Sequence, residues 1–223
     1  MSFNLYLVRH GQTIFNKYNR MQGWSDAPLT EKGIADGQAA GNRLANVKFD
    51  HVFASDLTRA VRTARFIMNR NDVTPEYSEP TELPQFREEF FGTFEGLPGP
   101  QAAEAVAQLK QLSGIQSYGD LMVQMSQDEV MDALHEADLT HDAESSVQFW
   151  NRIEDGLKIL KTTAKDDQNV LLVAHGTLIR NLAGKYAGHE YTLPSMHNGS
   201  ISKWVISDDA MKLEVFNDIE KVW

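Results

Sequence analysis

The sequence predicts an α/β fold: a three-layer sandwich with a mostly parallel central sheet flanked by helices, plus a helical insert forming a lid. Three observations carry that prediction. Short apolar runs alternate with stretches of helical periodicity from the N-terminus to about residue 70, and the alternation returns after about residue 145. The segment between, about 97–142, opens with Pro98, Gly99 and Pro100 and then reads as helices of its own. With 42% of 223 residues hydrophobic, the chain can fill the core of one domain spanning 1–223.

Residues 5–8 read as a short buried strand that stops before Gly11. Thr30 stands before a helical pattern in which Ile34, Ala35, Gln38, Ala39, Leu44 and Ala45 share one face, running to about Asn46. Residues 49–55 make the second strand, and Ser55 is placed to cap the helix of residues 56–70. After Pro75 the pattern loosens into turns. Within the insert, helices are expected over about 102–112 and about 128–137, the second with Ser126 and Glu129 in capping-box spacing. Residues 146–164 form a long helix whose stripe is Val147, Trp150, Ile153, Leu157 and Leu160. Residues 170–174 repeat the opening strand, His175-Gly176 follow, and a helix begins. Residues 200–207 and 212–217 are expected to pair antiparallel at a sheet edge.

Bulk properties narrow the function classes. A formal net charge of −10 argues against nucleic acid or an anionic membrane as a partner, so an anionic ligand must be captured by a local cluster of cations. No cysteine is present, which excludes disulfides and thiolate metal sites. No run approaches the roughly 18 apolar residues of a spanning helix, and no basic-then-apolar leader opens the sequence, so a cytoplasmic location is expected. There is no G-x-S-x-G and no H-E-x-x-H.

In open α/β sheets ligands bind beyond the carboxyl ends of the strands. His10 and His175 each stand just past such an end, so two imidazoles are aimed at one spot. Arg9 shares the first strand end, while Arg59 and Arg62 lie in the first turns of the helix after the second strand. A helix N-terminus suits an anion, and arginine's planar fork suits phosphate oxygens.

The segments LVRHGQTIFN, GWSDAPLTEKG, SDLTRAVRTA, REEFFGTFEG and LLVAHG occur in this order and at about the spacings of the histidine phosphatase superfamily. The chain thus resembles the phosphoglycerate mutase-like branch of that superfamily over residues 5–96 and about 145–206. The resemblance implies that His10 takes the phosphoryl group and that Arg9, Arg59 and His175 hold its oxygens. It implies that Glu88, four residues before Gly92, is the proton donor, and that Asn16, Gln22 and Gly23 line the substrate pocket. Phosphoryl transfer asks mainly for positioning and placed charge, which arginines and an imidazole supply without a metal or other cofactor.

The implied activity is metal-independent hydrolysis of a small-molecule phosphomonoester through phosphohistidine at His10. Two alternatives accompany it: a cofactor-dependent phosphoglycerate mutase, and a non-catalytic protein that binds phosphorylated ligands. Mutases of the family carry an arginine directly after the acid, where this chain has Glu89. Between Leu97 and Asp142 the sole cation is Lys110, against Glu104, Asp120, Asp128, Glu129, Asp132, Glu136, Asp138 and Asp142. So acidic a lid is expected to repel a doubly anionic acceptor and leave water to receive the phosphoryl group.

Overall fold

A computed structural model describes residues 2–74 and 79–223; the start of the loop expected after Pro75 lies outside them. The unbroken apolar run of β1 (Ser2–Arg9) places it inside the sheet, where it pairs in parallel with β4 (Asn169–Ala174), Leu5 opposite Val170 and Arg9 opposite Ala174. Beyond β4 lie β2 (His51–Ala54) and β3 (Thr81–Glu82), both parallel to their neighbours. On the other side of β1, β5 (Ile201–Ser207) and β6 (Met211–Asp218) form the expected antiparallel edge, giving the order β3-β2-β4-β1-β5-β6.

Alternate residues of these strands face opposite layers. Leu5, Leu7, Val170 and Leu172 meet helices α7 (Ser146–Thr163) and α8 (Gly176–Tyr186) in a core with Phe149, Ile153, Leu178 and Leu182. Tyr6, Val8, Leu171 and Val173 meet α2 (Glu31–Arg43) and α3 (Thr58–Met68) in a second core with Ala40, Ala64 and Ile67. Each fully buried aliphatic side chain contributes about 1.5–3 kcal/mol, so the central strands are locked from both faces. Before α2, a single turn, α1 (Ile14–Lys17), follows the loop leaving β1.

The insert packs on its own core. Helices α4 (Gly99–Lys110), α5 (Tyr118–Gln124) and α6 (Gln127–Ala137) enclose Ala102, Val106, Leu121, Met122, Val130 and Leu134 over Met21, Phe91 and Phe94. The Ser126–Glu129 capping box forms as expected. Helix α5 escapes sequence reading because it is brief and holds Gly119; Ser117 starts it by accepting from the Asp120 amide. On α7, Val147 is 66% exposed rather than part of the stripe, because Ser146 and Phe149 turn inward in the first turn.

Candidate active site

Parallel pairing of β1 with β4 brings their carboxyl ends side by side, and the His10 amide still donates to the Ala174 carbonyl at 3.0 Å. The rings of His10 and His175 consequently lie 5.2 Å apart, centre to centre, and both residues are buried. His10 Nδ1 lies 2.8 Å from the Gly11 carbonyl, so Nδ1 carries the proton and donates it there. Nε2 is left with its lone pair, facing the Arg59 Nε–H at 3.3 Å. Burial, then the charges of Arg59 and Arg9, hold the His10 imidazole well below its ordinary value. His175 is held low by burial and by Arg59, and neither of its ring nitrogens has a protein partner. Both rings are therefore neutral bases.

Arg59 projects from the first turn of α3 and is 1% exposed. Its guanidinium donates to the carbonyls of Gly23 at 2.6 Å and Ser25 at 3.0 Å and pairs with Asp26 at 3.4 Å. Ser55, expected to cap α3, does not do so: Leu57 intervenes, the helix starts at Thr58, and the Ser55 hydroxyl accepts only from the Leu57 amide at 3.4 Å. Asp26 takes over from a distant loop, accepting the Thr58 amide at 2.5 Å and the Arg59 amide at 3.4 Å. That helix end is thus already satisfied by a carboxylate. Arg9 donates through Nη1 to the Met196 carbonyl, keeps Nε unpartnered, and is lowered to about 10, chiefly by burial.

Glu88 stands across the site at the start of α8. Its carboxylate accepts the amides of Thr177 and Leu178, each at 2.9 Å, and of Glu89 at 3.1 Å. Its carbonyl is fixed by Trp24 Nε1 at 2.9 Å and Arg152 at 3.2 Å, and Arg152 also grips the carbonyls of Gln85 and Arg87. Glu89 is fully buried beside the Tyr118 hydroxyl, and burial foremost pushes its carboxyl well above the ordinary value.

Of the residues expected from sequence, Arg9, Asn16, Gln22 and Glu88 line a cleft of about 310 Å³, whereas His10, Arg59 and His175 are buried and do not line it. Asn16 Oδ1 accepts from Asn198, which also holds the His10 carbonyl, while Gln22 is bonded to the Thr13 hydroxyl at 2.5 Å. Gly23 is absent from the cleft wall; its carbonyl holds Arg59, and a Cβ there would come within 2.1 Å of the Glu89 carbonyl oxygen. Arg62 is not on the cleft wall; it lines a separate hollow with Asp26, Thr58 and Arg59.

Sequence reasoning missed Arg20, Arg180 and Tyr118, which line the outer cleft, with the Arg180 guanidinium 5.1 Å from the centre of the Tyr118 ring. Its position on the helix, five residues after His175, is the signal that could have found Arg180. The insert's acids do not face the cleft, and Tyr118 alone comes from the insert. Asp128 accepts from Trp150, Glu129 caps α6, Asp132 holds Ser146, Glu136 pairs with Lys110 and Asp138 holds the Ala143 amide. The repulsion of an anionic acceptor expected of the lid is therefore not built into the cleft wall: these five acids are engaged within the insert and at its joints to the sandwich.

Comparison with known proteins gives the family. Residues 5–219 match the family model of the histidine phosphatase superfamily (branch 1). A 2,3-bisphosphoglycerate-dependent phosphoglycerate mutase 2 of Lactiplantibacillus plantarum is 31% identical over 199 residues, 80% of this chain and 81% of that protein. The fructose-2,6-bisphosphatase TIGAR of Xenopus laevis is 44% identical over 97 residues, covering 43% of this chain and 35% of that one. The crystal structure of a phosphoglycerate mutase from Bacillus anthracis superposes with a TM-score of 0.87 at 32% identity, over 98% of this chain and 94% of that one.

Proposed function

The chain belongs to the histidine phosphatase superfamily, branch 1, and on that premise we propose that it is a metal-independent phosphomonoester hydrolase working through a phosphohistidine at His10. One observation carries the reading: the unprotonated Nε2 of His10 faces Arg59, with Arg9 and the unpartnered nitrogens of His175 around it. His10 Nε2 attacks phosphorus, the bond to the ester oxygen breaks, and Glu88 delivers its proton to that oxygen, releasing an alcohol. Water then attacks phosphorus, the Glu88 carboxylate takes its proton, and the bond to Nε2 breaks to give inorganic phosphate.

Arg9, Arg59 and His175 bear the charge on the transferring oxygens. Asn16 and Gln22 border the substrate, and Gly23 serves by holding Arg59. Water rather than a bound acceptor is favoured because position 89 offers a buried carboxyl instead of a cation. The mutase alternative draws support from Arg20 and Arg180, which suit an acceptor bearing a second anionic group. Among the described residues no helix is long and apolar enough to cross a membrane, and we place the protein in the cytoplasm with small phosphorylated molecules as its partners.

Incubation with 3-phosphoglycerate and with simple phosphomonoesters tests the assignment. Release of inorganic phosphate with an acid-labile, alkali-stable label on His10 is the expected result. Efficient conversion to 2-phosphoglycerate with scant hydrolysis would establish the mutase instead. Phosphate binding with no label and no turnover would leave a binding protein.

A further inference from the structure

We propose that Glu95 is a positioning residue for phosphoryl transfer, its carboxylate setting the loop that fixes the Arg59 guanidinium against His10. The Glu95 carboxylate gathers four backbone amides: Trp24 at 2.9 Å and Phe91 at 3.2 Å on Oε1, Gly23 and Ser25 at 3.1 Å on Oε2. The loop's other polar edge faces Arg59, which donates to the carbonyls of Gly23 and Ser25. The Trp24 amide and the Gly23 carbonyl belong to one rigid peptide plane, with N–H and C=O pointing in opposite directions. That plane is clamped, its N–H on the carboxylate and its C=O on the guanidinium, so it cannot turn to satisfy one side without releasing the other.

Glycine at position 23 permits the approach, because a Cβ there would sit 2.3 Å from Glu95 Oε1. The end of the chain of contacts is the reacting atom, since Arg59 Nε lies 3.3 Å from His10 Nε2. A glutamine at position 95 presents one accepting oxygen and one donating NH2 to four donors, so the peptide plane loses its hold and Arg59 its orientation. Merely bracing the short turn Gly92–Phe94 through the Phe91 amide would give Glu95 no influence on His10.

Resting on the phosphohistidine reading above, the test compares wild type, Glu95→Gln, Arg59→Ala and the double variant, with Asp132→Asn as a stability control remote from the cleft. Misplacement of a charged group by about 1 Å costs on the order of 100-fold, so kcat/KM should fall by about that factor in Glu95→Gln while thermal unfolding resembles the control. Because Arg59 helps hold His10 low, its displacement should move the acid limb of kcat/KM to higher pH. The double variant should be within about twofold of Arg59→Ala alone, since the two act as one unit. Full activity in Glu95→Gln, an unmoved acid limb, or losses that add in the double variant would each overturn the assignment. Should Glu95→Gln fail to fold, Glu95→Asp, with its charge kept and its reach shortened, must show the same limb shift at smaller amplitude. Affinity for inorganic phosphate, measured in the same proteins, separates the two readings. An inert wild type whose phosphate binding still weakens in Glu95→Gln would remove the hydrolase reading and keep the positioning role.

Discussion

Replacing Glu88 with glutamine separates its two duties, anchoring the start of α8 and moving a proton. The carboxylate accepts three amides at 2.9, 2.9 and 3.1 Å, and a glutamine of the same length keeps at most the two that reach one oxygen. The third amide then faces an NH2 group, a cost of about 1–3 kcal/mol, which a domain of ordinary stability survives. Chemistry suffers more and selectively. A positioned general acid is worth about 10²–10⁴-fold, or about 3–5 kcal/mol of barrier, when the leaving group is an alkoxide. With p-nitrophenyl phosphate, whose phenolate leaves without help, the loss should stay below about tenfold. Steady-state kcat/KM on an alkyl phosphate and on p-nitrophenyl phosphate, read side by side, gives the comparison. Equal losses on both substrates would refute the proton-donor role and leave Glu88 a structural anchor; full activity on the alkyl ester would remove it from the reaction.

Other outcomes follow from groups already described. Because His10 is held well below 6.5 and must be unprotonated to attack, the acid limb of kcat/KM should lie below pH 6.5, and a limb above that value would show the ring is not so held. Stability should change with pH in the same window. Below about pH 6.5 the unfolded chain protonates both histidines while the folded one does not. Urea unfolding free energy should therefore decline on acidification by up to about 1.4 kcal/mol per pH unit for each ring, and His175→Gln should flatten the decline. Removing the remote cap of α3 with Asp26→Ala should cost about 0.5–2 kcal/mol, a drop of several degrees in melting temperature, and should depress turnover as Arg59 loosens. Dialysis against EDTA should leave phosphate release intact, whereas a need for added divalent cation would contradict the metal-independent mechanism.

What the sequence revealed depended on whether the cause was local. The strands leading to His10 and His175 are continuous apolar runs, and the helices after Thr30 and Ser126 carry their own caps, so neighbouring residues decided them. The caps of α3 and α8 were not legible, since each comes from an acid far away in the chain, Asp26 and Glu88. The same distance hid the roles of Arg152 and Trp24, which clasp the Glu88 carbonyl. Composition misled for the insert: its acids were counted correctly, but charge count carries no direction, and their partners turned them from the cleft. Arg20 and Arg180 passed unnoticed because only folding brings a loop after α1 and the second turn of α8 to one wall.

The register between β1 and β4 bears on how preparations of this protein can be judged. A slip of one residue would shift His10 by about 3.3 Å and turn every side chain of β1 to the opposite layer. Arg9 opposite Ala174 is thus a condition for two imidazoles 5.2 Å apart, not a by-product of it. Chains with a mispaired central sheet would carry all the same chemical groups and remain silent. Specific activity per mole of protein accordingly serves as a gauge of the fraction correctly assembled, sensitive to errors at the centre of the sandwich that far-ultraviolet dichroism, blind to register, would pass.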